Sequence, residues 1–158
     1  AKGVNFYGDY ATRNDEFKFL QDGSIFGRYR FIDPYINAIW LNNAIQVSLM
    51  NGLAQSGRVP YTRSGYTLVR AWLMDPVKRA LHNGVIDVGV TLSDAQQTEL
   101  FREAGSAIAG ELEGYGSVIQ VAEPGSAARV NRDSPVCSLW YTYGGSVHRL
   151  VVASTAVV

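Results

Sequence analysis

DPYINAIWLNNAIQVSLMNGLA, residues Asp33 to Ala54, is the stretch whose reading decides the fold. Asp33 can act as an N-cap, and Pro34 suits the first helical position, where a missing N–H leaves nothing unbonded. Apolar residues recur at Ile36, Ile39, Trp40, Val47, Met50 and Ala54, the spacing of an α-helix with one buried stripe. Gly52 and Gly57 mark where this helix should fray and stop. Downstream, Thr62 is placed to cap a second helix carrying Leu68, Val69, Trp72, Leu73, Val77, Ala80 and Leu81, which Asn83-Gly84 terminates. Pro76 lies inside it and predicts a kink or break, because it removes one backbone hydrogen bond and crowds the preceding turn. Ser93 followed by Gln96 makes a capping box for a third helix, with Leu100, Phe101, Ala104 and Ile108 on one side. Gly105 and Gly110 weaken its second half.

Outward from the helices the pattern is β. Val4 and Phe6 alternate with Asn5 and Tyr7; Phe17, Phe19, Ile25 and Phe26 follow, with Asn14-Asp15 and Asp22-Gly23 as turn signals. At the other end, Tyr115 to Val121 reads as a strand and Ala122 to Pro135 as a loop. Val136 to Tyr143 and Ser146 to Ser154 flank Gly144-Gly145, a pair able to adopt the positive φ angles of a tight hairpin. No repeat, low-complexity tract or linker interrupts this order. The expectation is an α+β fold: an N-terminal hairpin, three central helices and C-terminal antiparallel strands, packed as a single domain over residues 1–158.

Composition narrows the function classes. The chain has 158 residues, 47% of them apolar and 18% charged, with zero formal net charge. That balance describes a chain with a core and argues against direct nucleic-acid binding, which needs a basic excess on one face. The arginine pairs Arg28 with Arg30 and Arg129 with Arg132 are interspersed with acids. A single cysteine, Cys137, excludes an intrachain disulfide. The apolar run near Leu150 to Ala153 is far too short for membrane insertion. The sequence opens at Ala1 in a strand-like pattern, which suggests a fragment or the ordered part of a longer protein.

Catalytic templates find little to match. His82 and His148 have no second ligand at metal spacing, and a helix end suits His82 as a C-terminal cation. Cys137 in a strand reads as a small packed apolar residue. No serine sits in a nucleophile elbow. Gly114-Tyr115-Gly116 lacks the third glycine of a dinucleotide loop and precedes a strand. Asp94, Glu99, Glu103, Glu111 and Glu113 read as a solvated helix face, and the many tyrosines as packing. No catalytic residue, metal or cofactor is assigned. A hydrolase using Ser117 or Cys137 stands last among the readings, since neither has a base partner in sequence.

The end of the chain is more informative. Val147, Arg149, Leu150, Val151, Val152 and Val157 belong to a proline-free, β-branched segment with Arg149 and His148 its only basic residues. Such a segment either covers its own domain as an edge strand or adds to the sheet of another chain, where backbone hydrogen bonds supply affinity.

Several motifs, in this order, resemble contractile-tail sheath proteins of bacteriophages. Gly3-Val4-Asn5-Phe6-Tyr7, Asp22-Gly23, Phe31-Ile32-Asp33, Trp40-Leu41 and Ile45-Gln46 resemble the run into that family's C-terminal helices. Val59-Pro60-Tyr61-Thr62 with Gly65 is similar to the opening of the next helix, and His82-Asn83-Gly84-Val85-Ile86 to its close. Arg132-Asp133-Ser134-Pro135 and Trp140-Tyr141-Thr142-Tyr143-Gly144-Gly145-Ser146-Val147-His148 resemble the ending of a sheath-like branch found in myophages and prophages. Family members are several times longer, so this chain would be their C-terminal, inner part.

The resemblance implies a structural subunit, not an enzyme. It would polymerise as stacked hexameric rings around a tail tube and contract on a baseplate trigger, driving the tube through the host envelope. Its place would be the virion tail, after assembly in the host cytoplasm. Its partners would be copies of itself, the tube protein and the baseplate. Strand addition would use the C-terminal segment; Arg63, Arg70, Lys78 and Arg79 are the tube-facing candidates only as basic residues on or near a helix. The alternative is another tail or baseplate assembly protein of the same virion.

Overall fold

A computed structural model describes residues 3–11, 13–21, 23–27 and 29–147. The chain divides into two compact units, residues 1–36 with 145–158 and residues 37–144.

In the first unit, β1 (Phe6–Ala11) pairs antiparallel with β2 (Glu16–Gln21), from Phe6 opposite Gln21 to Ala11 opposite Glu16. The Asn14-Asp15 turn signal falls between them as expected. Asp22 of the second turn signal and Arg28 lie outside the described residues, while Ile25 and Phe26 are not in a strand. Alternation along the strands puts Phe6, Tyr10, Phe17 and Phe19 on one face. The Tyr10 and Phe19 rings stack 4.5 Å apart at 5°. Gly8, opposite Phe19, makes room for this: a Cβ there would come within 2.5 Å of the Tyr10 ring.

The helices begin with α1 (Ile32–Ser56), which crosses from the first unit into the second, and continue with α2 (Arg63–His82) and α3 (Asp94–Ala104). They are followed by α4 (Ala109–Tyr115), β3 (Ser117–Val121), α5 (Ser126–Asn131) and β4 (Cys137–Tyr141). The local signals operate as read. Thr62 caps α2 by accepting from the Gly65 amide, and Asn83 closes it, with Gly84 at positive φ. Ser93 and Gln96 form the reciprocal capping box of α3. Asp33 sits in the first turn of α1 and not at its cap, where a carboxylate still favours the positive end of the helix dipole. The class is α+β, with two small antiparallel sheets.

Four expectations change. The described residues hold five helices, not three, because Gly105 ends α3 in the left-handed conformation and α4 starts afresh, while α5 occupies the expected loop. The stripe read as buried on α1 faces the other way. Ile36, Ile39, Val47, Met50 and Ala54 are exposed, and Leu41, Ala44 and Gly52 are buried, with Trp40, Ile45 and Leu49 partly so. Gly52 does not fray the helix: a Cβ there would lie 2.3 Å from the Trp72 indole, so glycine lets α1 and α2 approach closely.

Nor does Pro76 break α2. Proline cannot donate to the carbonyl four residues back, which belongs to Trp72. Ser48 of α1 donates its hydroxyl to that carbonyl at 2.7 Å, replacing the lost bond.

The main core joins Leu41 of α1 to Val69, Leu73, Val77 and Ala80 of α2, Val85 and Ile86 after it, and Ile119 of β3. A second cluster joins Ile108 and Leu112 to Val118. Adjacent strand residues point to opposite faces, so Val118 and Ile119 tie β3 to both clusters. Each such side chain contributes about 1.5–3 kcal/mol on burial. β4 runs antiparallel to β3, with Ser117 opposite Tyr141 and Val121 opposite Cys137. Thr142, buried beyond the end of β4, directs its hydroxyl at the Asp87 and Gly116 carbonyls. The Asp87 carboxylate accepts from the Gly144 amide at 2.9 Å, fixing the exit from the sheet.

Candidate assembly surfaces

Chemistry is sparse among the described residues. No group of three histidine, cysteine or acidic side chains is placed to hold a metal ion. His82 ends α2 and is exposed; His148 lies outside the described residues. Cys137 is exposed and not packed as read, yet desolvation by the surrounding protein pushes its thiol above the ordinary value, and the thiol donates to the Pro135 carbonyl at 3.6 Å, which disfavours the thiolate a nucleophile needs. Neither Ser117 nor Cys137 hydrogen-bonds to a histidine or carboxylate among the described residues. No described helix is long and apolar enough to cross a membrane.

Surfaces are better developed, and the first is the β3–β4 sheet. It has two strands, and among the described residues no third strand bonds to either edge. Val147, the first of the residues read as a strand-addition segment, is exposed and outside any strand. Arg149, Leu150, Val151, Val152 and Val157 lie outside the described residues, as does most of the strand read over Ser146 to Ser154.

The second is the outer face of α2. Arg63, Arg70, Lys78 and Arg79 are all exposed. Spacings of seven and eight residues put Arg63, Arg70 and Lys78 on one side of the helix. Arg79 pairs with Asp75 at 3.6 Å, an exposed contact worth little to stability. Arg63, Arg70 and Lys78 make no ion pair among the described residues. Their charge is therefore available to an acidic partner.

The third, invisible to residue spacing, is a groove of about 690 Å³ in the second unit. Leu49 and Leu53 of α1, Val59 and Tyr61 of the connection, Tyr66 and Trp72 of α2, and Arg129 and Arg132 line it. Tyr61 donates to the Asp133 carbonyl at 2.7 Å and so clasps the connection to the segment after α5. The Tyr66 hydroxyl is buried with no hydrogen-bond partner among the described residues. Sequence spacing could not reveal the groove, since its walls come from four separate segments.

Among the described residues, the second unit thus presents a two-stranded sheet that no third strand extends, a basic side of α2 and a largely apolar groove. Comparison with protein families gives the class as phage tail sheath proteins. Residues 32–156 match the model of the E217 tail sheath protein gp31-like C-terminal domain, and the chain belongs to that family. No curated protein matches it. The chain is thus the C-terminal part of a phage tail sheath protein, a structural virion component of a kind that self-assembles into a polymer in the tail.

Proposed function

We propose that this domain is the inner part of a contractile sheath subunit and acts by assembly alone, without catalysis or cofactor. The observation that carries the reading, beside the family, is the two-stranded β3–β4 sheet with both edges open among the described residues. The segment holding Val147, Arg149, Leu150, Val151, Val152 and Val157 supplies a strand to the sheet of a neighbouring subunit. Main-chain bonds then hold the lattice together while subunits slide and rotate. The α2 face bearing Arg63, Arg70, Lys78 and Arg79 turns toward the tail tube, where opposite charge guides association and keeps the contact separable. Residues 1–158 act as one domain of a longer subunit.

Subunits stack as six-fold rings into a helical polymer that assembles in the host cytoplasm and is anchored at the baseplate. Contraction exchanges one packing of a folded unit for another of lower energy, so the stored work needs no hydrolysed cofactor. Neither nucleic acid nor membrane insertion enters the mechanism.

The test is deletion of Arg149 to Val158 from the full-length subunit, followed by negative-stain electron microscopy. The expected outcome is a folded protein that no longer forms tubes, whereas the intact subunit forms tubes of two lengths. Normal tubes from the truncated subunit would overturn strand addition. Closed rings alone from the intact subunit would favour a baseplate role.

A further inference from the structure

The outer side of α1 is unusual for a helix surface. After Asp33 its remaining residues through Ser56 include no charged side chain. Ile39, Val47, Met50 and Leu53 lie exposed along that side, Met50 at 69%. Leu53 also lines the groove, whose far wall carries Arg129 and Arg132 with Asp133. Asn43 and Gln46 lie exposed among them, so this side mixes aliphatic and methionine side chains with two amides and carries no charge, and depletion of charge is a mark of interface surface.

The hairpin of the first unit presents a counterpart. Phe6, Tyr10, Phe17 and Phe19 share one uncharged face and remain about half exposed, and an isolated two-stranded hairpin is marginal in water. Its turn end carries Asp15 and Glu16 beside Arg13, an acidic excess of one. The groove end of α1 carries the opposite excess. Lengths agree as well: six-residue strands span about 20 Å, and Ile39 to Leu53 spans about 21 Å of helix axis.

We propose that the aromatic face of the β1–β2 hairpin of one copy lies along the outer side of α1 of a second copy, with its turn end at Arg129 and Arg132. The occupant of the α1 surface is a second copy of this chain, in line with the self-assembly of the family. The contact joins two different surfaces, so a joined pair keeps one hairpin and one α1 face free for the next copies; such contacts propagate instead of closing. The hairpin lies before the matched residues 32–156, and the contact needs neither strand addition nor the tube.

Two measurements on the full chain test this. In a Cys137→Ser background, copies carrying Phe17→Cys and differently tagged copies carrying Leu53→Cys are mixed with a short bis-maleimide. A cross-linked pair of unlike copies is expected, and none when Glu99→Cys replaces Leu53→Cys. Arg132→Glu should weaken the cross-link several-fold and Glu16→Arg restore it. A chain carrying both Phe17→Cys and Leu53→Cys that links only to itself would place the contact within one chain and overturn the proposal, as would absence of the mixed product. Independently, Leu53→Glu on an exposed helix position should weaken self-association by about tenfold or more with unchanged circular dichroism. Unchanged association would overturn the α1 assignment, while loss of strand addition on deleting Arg149 to Val158 would leave it standing.

Discussion

Ser48→Ala should destabilise the domain through a helix that Ser48 does not belong to. Pro76 leaves the Trp72 carbonyl without its usual donor, and the Ser48 hydroxyl supplies a substitute at 2.7 Å. Removing it strands a partly buried carbonyl, at a cost of about 1–3 kcal/mol. Serine to alanine inside a helix returns about 0.5 kcal/mol of propensity. The net expectation is a loss of about 0.5–2.5 kcal/mol; at about 1.5 kcal/mol, a chain of this length would melt about 3–6 °C lower. Urea unfolding followed by tryptophan fluorescence reads it as a shifted midpoint with unchanged slope. The mechanism is isolated by a cycle with Pro76→Ala, which restores an amide able to reach the Trp72 carbonyl. In that background Ser48→Ala should cost almost nothing, giving a coupling of about 1–2 kcal/mol. Equal costs in both backgrounds would refute the claim that Ser48 compensates for the proline.

The neighbouring contact predicts a contrast of sign between two glycines. Gly52→Ala should destabilise by about 1 kcal/mol, because overpacking against the Trp72 indole outweighs the gain in helix propensity, whereas Gly110→Ala, with open space around it, should stabilise by up to about 1 kcal/mol. The same urea titration checks both. Thr142→Val keeps the shape but deprives the Asp87 and Gly116 carbonyls of the hydroxyl, and should lower stability by about 1–3 kcal/mol in thermal unfolding. Cys137, its thiol held above the ordinary value by burial, should react with iodoacetamide at pH 8 more slowly than a free cysteine, and should catch up as pH rises. A rate equal to that of the free amino acid would show the thiol to be unshifted.

What was legible in the sequence is what acts within a few residues. Thr62 with Gly65, Ser93 with Gln96, and Asn83-Gly84 satisfy backbone groups close to themselves in the chain, so their effect does not wait on tertiary structure. The hairpin turn at Asn14-Asp15 is legible for the same reason. Helices α4 and α5, with seven and six residues, are too short to show a period, and glycines beside them read as interruptions. Pro76 reads as a kink or break because its compensation comes from Ser48, which is 24 residues in sequence from the acceptor, Trp72. Of the surfaces, the basic residues of α2 were legible as exposed cations, but the groove was not, being assembled from residues between Leu49 and Pro135.

The misreading of α1 has a different cause, and it bears on function. Periodicity identifies a buried stripe by contrast with a charged one, and α1 offers no contrast after Asp33. Ile39, Val47 and Met50 follow helical spacing as faithfully as Leu41, Ala44 and Ile45, yet it is Leu41 and Ile45 that join the main core and Ala44 that is buried. Selection for folding alone would leave the outer side free to collect charged residues, as the exposed faces of α2 and α3 have done. A sequence pattern records every burial that a chain undergoes, including burial by other chains. In a sheath domain the uncharged outer side of α1, with Ile39, Val47 and Met50 exposed, is therefore the surface assigned to the proposed contact between copies, and it falls in the part of the chain that the family match includes.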